Sequence, residues 1–98
     1  MKKYIFKLYV VGQTVRSRNA IYNLKKVCEE ALSDSYDLTI VDVLEHPEKA
    51  EEDKVLATPT LIKLSPIPQR RIIGDLSDAN AVLKALEIQL NSDDSISR

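Results

Sequence analysis

Hydrophobic and polar positions divide this chain into blocks whose periods alternate between two and about three and a half. Tyr4 to Val11 (YIFKLYVV) is apolar nearly throughout and rich in aromatic and β-branched residues, interrupted by Lys7. That pattern predicts a central strand covered on both faces. Gly12-Gln13-Thr14 ends it. From about Ser17 to Leu32 the residues Ala20, Ile21, Leu24, Val27, Cys28, Ala31 and Leu32 recur at helical spacing, with Thr14 or Ser17 available as the cap. Asp34, Ser35 and Asp37 form the exit loop, and Leu38 to Leu44 reads as a second strand. Strand, helix and strand at this spacing imply a right-handed parallel βαβ unit. Pro47 suits the first position of a short helix, and Glu48, Glu51 and Glu52 favour its N-terminal end.

Glu51 to Ser77 holds three of the four prolines and one of the two glycines. Val55 to Pro59 leads into an apolar run, Thr60 to Leu64. Ser65-Pro66-Ile67-Pro68 cannot continue a ladder and must turn. Arg70 to Ile73 is the returning strand, stopped by Gly74-Asp75. The resulting hairpin has Pro59 at the mouth of its first strand, where thioredoxin-like domains carry a cis-proline. Ser77-Asp78 then caps a helix with Ala79, Val82, Leu83, Leu86 and Leu90 on one face. Leu86 to Leu90 also alternates strictly, which is a strand pattern. The sum is βαβαββα, a thioredoxin-like α/β order in one domain over residues 1–98, with a polar tail expected to fray over 91–98.

Composition sharpens the functional classes. The net charge of −1 conceals segregation: residues 1–30 carry seven basic and two acidic side chains, residues 31–53 eight acidic and one basic. Such patches suit a protein partner of complementary charge. Nucleic acid would want one dominant basic face with stacking aromatics, and this chain has five aromatics in all. No apolar run approaches the ~20 residues of a membrane span, and Lys7 breaks any signal-peptide core. A single cysteine cannot form an internal disulfide, so a cytoplasmic location is expected.

A thioredoxin-like order raises redox chemistry, which needs a cysteine thiolate at the start of the helix after the first strand. That place reads Gly12-Gln13-Thr14-Val15-Arg16-Ser17, and Cys28 falls in mid-helix on the apolar face, as a core thiol. His46 has no second histidine or cysteine cluster to make a zinc site. Glu48, Glu51, Glu52 and Asp53 lack the spacing of a calcium loop and read as a solvated helical face. No phosphate loop or nucleophile motif is present. No catalytic, metal or cofactor residue is therefore assigned. Lys54, Arg70 and Arg71 are the candidates for partner recognition. The two arginines, adjacent on a strand, should point to opposite faces. Gly74-Asp75 is either a turn or a hinge.

The wording EEDK (Glu51–Lys54), ATPTL (Ala57–Leu61) and RRIIGDLS (Arg70–Ser77), with KLYV (Lys7–Val10) before them, closely resembles the KaiB family from Tyr4 to about Leu90. The resemblance implies a protein that is not an enzyme. It implies binding to the hexameric KaiC-type ATPase ring, sequestration of a KaiA-type protein, and competition with a thioredoxin-like sensor histidine kinase. It also implies two folds: βαβαββα when bound to the ring, and βαββααβ in a free tetramer or dimer. Residues 1–44 would be common to both and 45–90 rebuilt. Pro59, Pro66, Pro68, Gly74 and Asp75 lie in the rebuilt half and are the switch candidates. The unbound chain is expected as the oligomer, burying excess apolar surface from Leu56 to Leu64, with a strand over Leu86 to Leu90. TVRSRNAIYN departs from the family's usual opening of the first helix, which leaves room for a relative serving stress adaptation outside a true clock. A free-standing sensor module of a histidine-kinase pathway is the other alternative.

Overall fold

A computed structural model of the chain describes residues 3–33 and 35–88. Its elements run β1 (Tyr4–Val10), α1 (Val15–Leu32), β2 (Tyr36–Asp42), α2 (Pro47–Glu52), β3 (Thr60–Ser65), β4 (Arg70–Ile73) and α3 (Ala79–Ala85). The thioredoxin-like order expected from the sequence is the one observed. The four strands form one sheet in the order β2-β1-β3-β4. β1 is central, parallel to β2 and antiparallel to β3, with Leu8 opposite both Ile40 and Leu61. β4 closes the far edge antiparallel to β3.

The near-continuous apolar run of β1 is explained by burial on both sides. Phe6, Leu8 and Val10 join Leu61 of β3 beneath Leu24, Val27 and Cys28 of α1 and Val82 of α3. On the opposite face Tyr9, Val41 and Ile62 make a smaller cluster against Ala50, Val55 and Leu64. α2 belongs to this second face. Thr14 caps α1 by accepting from the Ser17 N–H at 3.2 Å. Ser17, the other cap candidate, instead turns its hydroxyl inward, where it accepts from the Val11 N–H at 3.0 Å.

The described chain holds the βαβαββα order, the one expected for the partner-bound form, and no strand runs through Leu86, Glu87 and Ile88; residues 89–90 of the strand expected in the free oligomer lie outside the described residues. The local cause is a helix stop. Glu87 takes a left-handed φ of 58°, its N–H bonds the Lys84 carbonyl at 3.1 Å, and the Ile88 N–H bonds Leu83 at 3.0 Å. This paired 5→2 and 6→1 bonding is the Schellman stop. It lets Leu86 and Ile88 both reach the core without an extended backbone. The apolar stretch from Leu56 to Leu64 is divided between the interior and the surface of the domain. Leu61 and Ile62 are buried, whereas Leu56 is 95% exposed.

Candidate functional interface

Strand register puts several chain segments at one end of the sheet. Tyr9 lies opposite Thr60, and Thr60 opposite Ile73, so β1 and β4 end where β3 begins. Pro59 enters β3 there through a cis bond, and its carbonyl accepts the Gly74 N–H at 2.9 Å. Leu56 before Pro59, Ile73 before Gly74, Leu44 after β2 and Val15 at the start of α1 are all exposed at this end. Gathered at one end, these exposed apolar side chains make a fringe of the kind that interaction surfaces carry.

Lys54 stands beside this fringe because α2 stops as α3 does. Its φ is 56°, its N–H bonds the Glu51 carbonyl at 3.1 Å, and the Val55 N–H bonds Ala50 at 2.9 Å. Lys54 thus occupies the left-handed position just past a helix, where glycine is usual. Val55 turns back onto Ala50 in the smaller core cluster. The Lys54 side chain points outward and is exposed.

The two arginines part company, as strand alternation requires. Arg71 faces the α2 side, where its guanidinium donates to the carbonyl oxygens of Asp53 and, at 3.3 Å, of Lys54. Helix carbonyls left without an internal partner are thereby satisfied. Arg70 faces the other way and pairs with Glu87, its Nε donating to Oε2 at 3.0 Å. Of the sequence candidates, the fold therefore brings together Lys54, Arg71, Pro59 and Gly74. Asp75 lies next, on the α1 side, where its carbonyl accepts from Asn23 Nδ2 at 2.8 Å. Pro66 and Pro68, both with cis bonds, lie at the opposite end of the hairpin.

Three residues beside this surface were not candidates in the sequence reading. Lys7 Nζ lies 2.9 Å from Asp53 Oδ2. The Tyr9 hydroxyl donates to the same oxygen at 2.5 Å, with the Lys49 carbonyl 3.0 Å away as a second acceptor. These hydrogen bonds, from Tyr9 first and Lys7 second, hold the Asp53 carboxyl below the usual carboxylate range. Tyr9 responds in the opposite sense: burial, then the bond to Asp53, pushes its phenol well above the ordinary tyrosine range. The signal available was Lys7 and Tyr9 at i and i+2, hence on one face of a central strand.

The position after β1 that would carry a reactive thiolate carries none, and Cys28 is fully buried on α1. Burial, with the Glu29 carboxylate beside it, raises the Cys28 thiol to about 12. A thiol so protonated is a poor nucleophile at neutral pH. His46 precedes α2 and has Glu48 3.6 Å from its Nδ1. Among the described residues no three His, Cys, Asp or Glu side chains gather as metal ligands, and no helix is long and apolar enough to cross a membrane.

Comparison with known proteins places this geometry. A family model described as the KaiB domain matches residues 7–88. The circadian clock protein KaiB3 of Synechocystis is 49% identical over 88 residues, covering 90% of this chain and 86% of that protein. The circadian clock oscillator protein KaiB of Synechococcus elongatus is 53% identical over 87 residues, covering 89% and 85%. Among solved structures, the N-terminal domain of Synechococcus elongatus SasA superposes with a TM-score of 0.72 at 22% identity, covering 91% of this chain and 88% of that one. Mitochondrial thioredoxin 3 of Saccharomyces cerevisiae gives 0.69 at 19%, covering 89% and 79%. At those identities the two structures speak for the fold.

Proposed function

The chain belongs to the KaiB family, and we propose that it is a non-enzymatic timing regulator that binds a KaiC-type ATPase ring and alters the ring's phosphorylation and signalling output. A clock-related role follows from relatives of about half identity over nine-tenths of the chain, and that identity is the observation that carries the reading. The ring would meet the end of the sheet bearing Lys54 and the Leu56 fringe, in the thioredoxin-like arrangement. A KaiA-type protein and a sensor histidine kinase are the further partners, and a tetramer or dimer is the form of the unbound chain. Exchange between two folds has local support in residues 45–88. Lys54, Leu76 and Glu87 all hold left-handed backbone without being glycine. Each such position costs about 1–2 kcal/mol, which narrows the margin over an alternative packing.

The test is titration of the chain against a nucleotide-loaded KaiC-type hexamer, read by sizing chromatography and interferometry. Saturable binding is expected, with an association rate that falls as salt shortens the screening length toward ~10 Å at 0.1 M. A stably folded chain that binds no such ring in any nucleotide state would refute the proposal.

A further inference from the structure

The cluster around Asp53 does something that the docking surface alone does not explain. Asp53 closes α2, yet its carboxylate is held by two side chains of the central strand, Lys7 at 2.9 Å and Tyr9 at 2.5 Å. The next residue is Lys54 in its left-handed turn, and two residues further is Leu56, 95% exposed. Apart from this cluster, α2 is weakly attached: none of its own residues is buried, and Ala50 is only partly covered. A six-residue helix has little stability of its own in water. Something must fix it to the sheet, and at its C-terminal end Asp53 bonds both Lys7 and Tyr9 of β1.

We propose that Asp53 is the positioning residue of the interface: its carboxylate, gripped by Lys7 and Tyr9, latches α2 and the 54–58 segment onto β1 and so holds Lys54 and Leu56 in place for a partner. Arg71 completes the latch from β4 by gripping the backbone carbonyls of Asp53 and Lys54. Arg71 thereby serves as a structural clamp in the chain by itself. The contact also joins the first half of the chain to the second, so any repacking of residues 45–88 about an unchanged first half must break it. The latch is a property of the chain by itself; its consequence for docking rests on the proposed function.

The charged and titratable groups acting on Asp53 are Lys7 and Tyr9 from β1 and Arg71 from β4, with Glu52 of α2 acting on Tyr9. Because the folded Asp53 carboxyl sits below the ordinary ~3.9 of an aspartate, the latch is fully closed above that value. It opens as pH falls through the lower, folded value. At neutral pH it acts as a fixed lock.

Hydrogen exchange on the free chain tests the latch. The reporters are the Asp53, Lys54 and Val55 amides, which bond Lys49, Glu51 and Ala50. Asp53→Asn should lower their protection by roughly tenfold, the scale of a lost charged hydrogen bond. Amides of α1, and the Val43 N–H on Val10, should keep theirs. Lys7→Met should give the same pattern, and the double variant should do no more than either single one. Below pH 4 the wild-type reporters should lose protection along an acid limb that Asp53→Asn lacks. Unchanged reporters, or a uniform fall over the whole domain, would overturn the latch. Ring binding is the second arm: Asp53→Asn should weaken it while wild type binds. Loosened reporters with undiminished binding would overturn the coupling to docking, whereas a wild type that does not bind would instead count against the proposed function.

Discussion

Lys54 offers a substitution series in which charge and backbone separate. At φ 56° the left-handed region costs an L-residue roughly 1–2 kcal/mol. Lys54→Gly removes that cost but adds freedom to the unfolded chain, worth roughly 0.4–1 kcal/mol in the opposite direction. The net expectation is a gain of ~1 kcal/mol, or a rise in Tm of about 4–8 °C for a domain of this size. Lys54→Ala keeps the strained backbone and should leave Tm where it was. Both variants remove the same ammonium group, so both should slow association with the partner to the same degree, and added salt should erase the difference from wild type. Thermal and urea unfolding supply the stability arm, and stopped-flow or interferometry the kinetic one. The reasoning fails if the glycine and alanine variants are equally stable, because the left-handed turn would then carry no cost. It fails separately if either variant associates as fast as wild type at low salt.

Cys28→Ser should cost ~1 kcal/mol, a modest change in a packed core, and leave partner binding intact; the native thiol should resist alkylation at pH 8, since burial holds it near 12. Tyr36 is raised to about 12 by burial and by donating to Glu29 Oε2 at 2.9 Å. Its contribution to stability should be complete below the ordinary ~10 of tyrosine and disappear as pH climbs through the folded value, an alkaline limb that Tyr36→Phe removes in ultraviolet titration and unfolding. Arg70→Gln should change stability by less than ~1 kcal/mol, because its pair with Glu87 is about half exposed. Arg71→Gln should instead loosen the 53–58 backbone, visible as faster exchange at Val55.

The fold was legible because each element is announced by more than one local signal. Helix period, Thr14 cap and glycine-bearing turn agree for the first half, and the prolines of residues 59–68 leave the hairpin only one place to turn. Helix ends were less legible. Sequence periodicity carries through Leu86 and Leu90, but the stop at Glu87 depends on a left-handed residue that is not glycine, and no rule of composition points to glutamate there. The same holds at Lys54. In both cases the turn is sustained by the very next residue, Ile88 or Val55, folding back onto apolar partners.

The interface was half legible for a different reason. Exposed cations on a strand are visible as cations, but their roles depend on what lies across the sheet. Arg70 and Arg71 are identical in type and adjacent in sequence, yet one meets the Glu87 side chain and the other the carbonyls that end α2. Asp53 was masked by its neighbours: in the run Glu51-Glu52-Asp53 it looks like one more solvated acid. Only the long-range return of the chain to β1 distinguishes it, setting it 46 residues from Lys7 in sequence and within hydrogen-bond reach in space. Charge is a local property of sequence, whereas the work a charge does is set by non-local pairing. For this chain the exposed Lys54 is the residue to reverse when probing a partner, and the half-buried Asp53 is the one to neutralise when probing what holds Lys54 there.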